Sequence, residues 1–312
     1  MDPVRAIADA LLYEGYLLWP YRRSATKNQR RWTFGGVYPR GHAERHPDDS
    51  CTMRTECLLE SGDPARVQVS VRFLQVVARQ LYAGSEPVRE LTAGGTRYLS
   101  WDEAVEREVA LEGPGRAPVA VAAGSAGERL PGGAIVRSWE ALEGAVRVGA
   151  EPVGGAIVRI AVEIANTTPW DRDDREAALR RTFCSAHTVL RAATGEFVSQ
   201  TDPPERLRAA AAACRNEGTW PVLVEGRRVV LSSPIILEDH PRIAPESPGD
   251  LFDAGEIDQL LLLNILSLTE EEKAEMRDSD PRAREILERT EALTEEQLMR
   301  LHGAIRELRT AR

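Results

Sequence analysis

Ala156-Ile-Val-Arg-Ile-Ala-Val-Glu-Ile164 decides what kind of chain this is. Ala156, Val158, Ile160, Val162 and Ile164 share one parity, while Arg159 and Glu163 take the other. A side-chain repeat of two residues marks a strand with one face in a core and one in water. Asn166-Thr-Thr-Pro169 closes the run with turn-forming residues. A second run, Arg66-Val-Gln-Val-Ser-Val-Arg-Phe73, alternates in the same way, with Val67, Val69, Val71 and Phe73 inward. Its phase changes near Leu74, since Val76 and Ala78 have the opposite parity, and a bulge or a bend is expected there.

Shorter strand candidates surround these two: Pro118-Val-Ala-Val-Ala122, Ala134-Ile-Val-Arg137 and Ala145-Val-Arg-Val148. His187–Ala192 and Glu196–Ser199, joined through Ala193-Thr-Gly195, predict a hairpin. Pro221–Val224 and Arg228–Leu231 predict another around Glu225-Gly226. Between them the pattern predicts a helix over 171–186, with Leu179, Thr182, Phe183 and Ala186 on its packed side, and an alanine-rich helix over 203–215. At the start of the chain, Asp2-Pro3 suits a helix N-terminus and Gly15 an end, with Ile7, Ala10 and Leu11 on one face.

From Leu251 onward the pattern turns helical. Thr269 with Glu272 and Thr294 with Gln297 have capping-box spacing, and Asp280-Pro281 is a further helix start. Four short helices are expected, over 254–267, 270–277, 281–291 and 295–309. The run Gln259–Leu266 is apolar all round and belongs in a core or an interface. The fold class expected is α+β: a mixed or antiparallel sheet and hairpin domain over 61–243. Residues 1–60 add an N-terminal helix and a basic-aromatic loop packed on that domain, and 244–312 form a small acidic helical subdomain. That last segment holds 17 acidic and 9 basic residues, nearly all of the net charge of −9.

A hydrophobic share of 42% with 29% charged residues is enough for a packed core. The acidic total argues against general affinity for nucleic acid. No apolar run reaches the roughly 18 residues of a membrane span. Met1-Asp-Pro-Val4 lacks a basic lead into an apolar stretch, so no signal peptide is expected. Four cysteines are too few for a disulfide scaffold, which predicts a cytoplasmic protein with reduced thiols.

One stretch runs against this composition. Between Gly15 and Ala43 six residues are basic and none is acidic, with aromatic residues interleaved. Trp19, Arg22, Arg23, Lys27, Arg30, Arg31 and Trp32 are the types enriched in protein-docking hot spots. They also suit phosphate and base contacts, though no nucleic-acid-binding signature accompanies them. In the structural alternative the rings pack inward and the arginines pair with the acidic tail.

Other positions invite chemistry. His42, His46, Cys51 and Cys57 are zinc-ligand types within sixteen positions, but lack the close C-x2-C spacing of strong metal signals. A metal-binding carrier or enzyme using them, with zinc, iron or nickel, is the alternative to docking. No cofactor motif is evident: a Walker loop, a dinucleotide fingerprint and a GxSxG elbow are all lacking. Cys184 and His187, three apart, fit a buried thiol better than an activated one. The proline-rich segment from Ser232 to Asp250 gathers Glu238, Asp239, His240, Arg242, Glu246 and Asp250, as either a functional loop or a stiff link.

Tyr13–Trp32, Arg215-Asn-Glu-Gly-Thr-Trp-Pro-Val-Leu-Val224, Leu231–Asp253 and Asp280-Pro-Arg-Ala283 together resemble an uncharacterised, mainly actinobacterial protein family. Its genes lie near those for high-affinity nickel–iron hydrogenases and their maturation factors. The resemblance covers most of the chain and implies a context, hydrogenase assembly, without assigning a catalytic residue. The expected function is therefore that of a cytoplasmic accessory protein docking on another protein, such as a hydrogenase subunit or maturation factor.

Overall fold

The computed structural model describes residues 3–13, 34–241, 265–279 and 281–294. They fall into two units, the first holding 3–13 and 34–241 and the second 265–279 and 281–294. The first unit is mainly β, and every ladder in it is antiparallel. Helices and sheet are both present, as an α+β reading requires, but the helices are few and short.

One sheet has five strands in the order β13 (Glu196–Phe197), β1 (Thr52–Glu60), β11 (Ile157–Asn166), β10 (Leu142–Gly154), β7 (Gly115–Val121). The other is built on β2 (Val67–Ala83), a strand of 17 residues. Along one edge of β2 runs β6 (Trp101–Glu112), followed by β3 (Glu86–Val88). A strand has only two edges, so β12 (Cys184–Ala192) and β9 (Gly133–Trp139) follow one another along the second edge. Next to β12 come β15 (Val229–Ser233) and β14 (Trp220–Leu223), and β9 pairs with β8 (Gly124–Leu130). A separate hairpin joins β4 (Glu90–Ala93) to β5 (Thr96–Leu99).

The two sheets pack face to face. Their shared core takes Met53, Cys57 and Leu59 from β1 and Val67, Val69, Val71 and Phe73 from β2. It also takes Val146 and Val148 from β10, Ile160, Val162 and Ile164 from β11, and Leu190 from β12. Phe73 and Phe183 stack at its centre with ring centroids 4.6 Å apart. Burying alternate side chains of both sheets in this way is the main stabilising term of such a fold.

Helices cover parts of the outer faces. α1 (Pro3–Leu12) lies on the β2 sheet and buries Val4, Ile7, Ala8, Leu11 and Leu12. α4 (Arg208–Ala212) covers Leu58 and Ile157 on the other sheet, with Leu207 and Ala211 facing them. Among the described residues no helix is long and apolar enough to cross a membrane.

The sequence expectations need four corrections. Ala156 is an exposed turn residue, and the buried side chain there is Ile157, which points outward beneath α4. The phase change in β2 is not a bulge of that strand, since its pairing with β6 is continuous from Gln68 to Arg79. Val71–Val77 is buried on both faces, and the bulge lies opposite, in β12 between Cys184 and His187. The helix expected over 171–186 is only α3 (Arg175–Leu179), capped by the Asp174 side chain. Phe183 is drawn into a bridge with Val37, and Cys184 and Ala186 join β12. Finally, β12 and β13 are not a hairpin: Gly195, at φ +74°, turns the chain out of one sheet and onto β1 of the other.

In the second unit, α5 (Glu270–Ser279) and α6 (Pro281–Glu291) enclose Ile265, Met276, Ala283 and Leu287. The Thr269–Glu272 capping box forms, with Thr269 N–H donating to Glu272 at 2.9 Å and Glu272 N–H to Thr269 at 3.3 Å. The helix expected over 295–309 and most of 254–267 lie outside the described residues.

Candidate functional site

Three segments distant in sequence meet at one end of the β2 sheet. The bulge in β12 leaves backbone donors unpaired within the sheet, and the chain at 34–37 takes them up. Ser185 N–H donates to the Phe34 carbonyl at 3.1 Å and Ala186 N–H to the Gly35 carbonyl at 3.0 Å. Gly35, at φ +55°, lies so close to Pro234 that a Cβ would sit 2.5 Å from its Cγ. Pro234 follows β15, and the preceding Ser233 is paired with Trp220 on β14. Phe34, Trp220 and Pro234 are thus held on adjacent backbones.

Beyond Pro234 the loop crosses to the open edge of β14. His240 N–H donates to the Leu223 carbonyl at 2.6 Å, and Leu223 N–H donates to Asp239 Oδ1 at 2.8 Å. Covering an edge strand in this way blocks unwanted pairing. In the middle of the loop Ile236 is 71% exposed, while Phe34 and Trp220 are 42% and 44% exposed.

Next to this loop is an open cleft of about 500 Å³, lined by Ser199, Thr201, Asp202, Leu223, Arg227, Glu238, Asp239 and His240. Its residue types suggest chemistry, but its hydrogen bonds describe bracing. Asp239 accepts from the Ser199 and Thr201 hydroxyls as well as from Leu223 N–H. Ser199 Oγ also accepts from Asp202 N–H at 2.8 Å. The hydroxyl is tied to a carboxylate and a backbone amide, contacts that hold the loop against 199–202.

The histidines and cysteines singled out in the sequence do not form one cluster. His42, on α2 (Arg40–Ala43), is buried and stacks between Tyr38 and His46, with centroids 5.0 and 4.3 Å away. His42 Nε2 is 2.9 Å from Asp49, and His46 Nε2 is 2.9 Å from Asp173. Arg175 donates to the Tyr38 hydroxyl at 2.7 Å and lies 3.4 Å from Asp49. The layer thereby ties 38–50 to 173–175. Cys57 points into the core from β1, where burial pushes its thiol well above the usual range. Cys51 precedes β1 and is half-buried. Among the described residues no three His, Cys, Asp or Glu side chains are grouped as a metal would need. Trp19, Arg22, Arg23, Lys27, Arg30, Arg31 and Trp32 lie outside the described residues.

A polar group missed in the sequence sits under α1. Arg72 is buried between Asp9 at 2.6 Å and Glu106 at 2.9 Å. On the adjacent strand His187 is fully buried, and burial pushes its pKa down to about 4. The only signal for Arg72 was a long cation in a strand that loses its alternation two residues later.

No model of a known protein family matches the chain, and no curated protein is similar to it in sequence.

Proposed function

We propose that this protein is an accessory protein that docks on another protein through the surface formed by Phe34, Trp220 and Ile236. One observation carries the reading. Of the five large apolar side chains exposed among the described residues, these three lie on segments that converge at one end of the β2 sheet. Apolar side chains held in water on a braced scaffold favour association, and aromatic anchors dominate interface energetics. The arginine-rich stretch from Trp19 to Trp32 leads directly into Phe34 and supplies positive charge for an acidic partner. Resemblance to a family encoded beside nickel–iron hydrogenase genes supports a partner in hydrogenase assembly. The four cysteines are unpaired, which fits a reducing cytoplasm.

The test is capture of partners from the native host by tagged protein. Trp220→Ala combined with Ile236→Ser is expected to abolish capture without changing thermal unfolding, as is Arg30→Glu with Arg31→Glu. The same partners recovered with either double variant would overturn the docking assignment.

A further inference from the structure

A row of four charged side chains crosses the outer face of the five-stranded sheet. Arg116 on β7 lies opposite Arg147 on β10, Arg147 opposite Glu163 on β11, and Glu163 opposite Arg54 on β1. Their parity is the reverse of Val146, Val148, Ile160, Val162 and Ile164, which fill the core, so the row stands away from the interior. With strands about 4.8 Å apart, the row spans about 14 Å.

Charge within the row does not balance. Arginines directly opposed in register repel one another. The single carboxylate is shared, with Glu163 lying 3.6 Å from Arg54 and 3.8 Å from Arg147. Arg54 also holds Glu56 on its own strand. Arg147 is 62% exposed, and Arg116 has no ion-pair partner among the described residues. The Arg116 side chain and most of that of Arg147 face solvent, open to a ligand.

The floor beside them is open. Gly149 pairs with Ala161, and a Cβ at Gly149 would meet nothing within 4 Å. Glycine inside a strand weakens it and often marks a close approach by another group. Here the missing side chain leaves a hollow of about 390 Å³, lined by Arg54, Arg116, Arg147, Glu163, Gly149 and Ala161 among others.

We propose that this hollow binds a compact oligophosphate, either free pyrophosphate or triphosphate or the phosphate tail of a nucleotide. Planar guanidinium forks match phosphate oxygens two at a time. Adjacent arginines across a ladder suit consecutive phosphates, and the small-residue floor lets the anion settle between them. A long polyanion would carry the repulsion of a chain of net charge −9 along its whole length, whereas a compact one confined to the row meets chiefly the arginines.

Calorimetric titration of the full chain with sodium pyrophosphate, sodium tripolyphosphate and ATP tests this. Saturable binding at one site per chain is expected, weakening as salt is raised. Arg116→Ser and Arg147→Ser are each expected to weaken it about tenfold. Gly149→Val, which keeps every charge but fills the floor, is expected to weaken it to a similar degree. Tighter binding of ATP than of tripolyphosphate would identify a nucleotide ligand, and the reverse order a free oligophosphate. No saturable binding would overturn the proposal. So would undiminished binding in an Arg116→Ser/Arg147→Ser chain that unfolds at the native temperature. Partner capture through Trp220 and Ile236 is read separately and does not depend on either outcome.

Discussion

Arg72 on β2 and Asp9 on α1 meet at 2.6 Å, and this contact fixes the N-terminal helix to the sheet. Burial works against the positive charge of Arg72. The contacts with Asp9 and Glu106 outweigh it, so the guanidinium pKa is raised above its ordinary value. Breaking one partner of a buried ion leaves part of its desolvation uncompensated. Asp9→Ala is therefore expected to lower stability by about 2 kcal/mol, since Glu106 remains as a second partner. The shift in urea midpoint checks this, and a midpoint unchanged from the native chain would show that α1 is held by its apolar face alone.

His187 should make the fold acid-sensitive. Its Nδ1–H donates to the Ser185 carbonyl at 3.3 Å, and Nε2 is buried with no partner among the described residues. Desolvation disfavours the imidazolium, the Ser185 carbonyl favours it, the nearby Arg72 charge disfavours it, and Glu106 and Glu108 favour it. The net result is a pKa of about 4. In the unfolded chain the ring titrates near 6.5. Above pH 6.5 both states are neutral and the ring's titration has no effect on stability. As pH falls from 6.5 to 4 only the unfolded chain gains the proton, so stability declines, by about 3 kcal/mol in total. Chemical denaturation of native protein and His187→Gln at pH 7, 5.5 and 4.5 checks this. The gap between the two chains should narrow or reverse on acidification, and parallel profiles would refute the assignment.

The parts of this fold legible in the sequence are those where one face meets core and the other meets water. Ile160, Val162 and Ile164 satisfy that condition, and so do Val67, Val69 and Val71. The reading failed where both faces are covered, because alternation then disappears. Val71–Val77 looked like a bulged strand for that reason. Leu179, Phe183 and Ala186 fit a helical stripe, but pairing of Phe183 with Val37 and packing on Phe73 override the local preference. Glu196–Phe197 looked like the return strand of a hairpin, because nothing local reveals a turn from one sheet to another. The exposed surface of Phe34, Trp220 and Ile236 draws on positions about two hundred residues apart in sequence, and the arginine row on four strands. Neither has a local period to read.

Ser185 is a further stability determinant, at φ +51° within the β12 bulge. A non-glycine residue in this region is strained, and a β-branched one much more so. Its hydroxyl offsets part of that by donating to the Leu11 carbonyl at 3.2 Å, at the end of α1. Ser185→Gly relieves the backbone but loses the bond, so its stability is expected to stay within about 1 kcal/mol of native. Ser185→Val loses the bond and adds strain, and should cost at least about 2 kcal/mol. Equal unfolding midpoints for the two variants would remove the bulge geometry as the cause.

Thiol reactivity separates the cysteines by position. Cys57 and Cys184 are fully buried, and burial pushes both thiols up, that of Cys184 to about 12. Cys51 and Cys214 are partly exposed. Reaction requires thiolate and access together. In the native protein Ellman's reagent should modify Cys51 and, more slowly because burial pushes its thiol up as well, Cys214, and spare the other two, while in denaturant all four react. Fast modification of Cys57 in the folded state would contradict its place between the sheets.

Arg116 offers a test of binding against stability. Exchanging it for glutamate turns a repulsive cross-strand pair with Arg147 into an attractive one, worth about 0.2–1 kcal/mol, near the lower end because Arg147 is exposed. Arg116→Glu should therefore raise the unfolding midpoint slightly at low salt, and the gain should shrink as salt screens it. The same exchange removes one fork and places a carboxylate in the hollow, so tripolyphosphate binding should disappear. A chain made more stable yet unable to bind would show that the opposed arginines are held together at some cost to the fold. A midpoint that falls instead would mean that Arg116 supports the sheet itself, and the charged row would need another explanation.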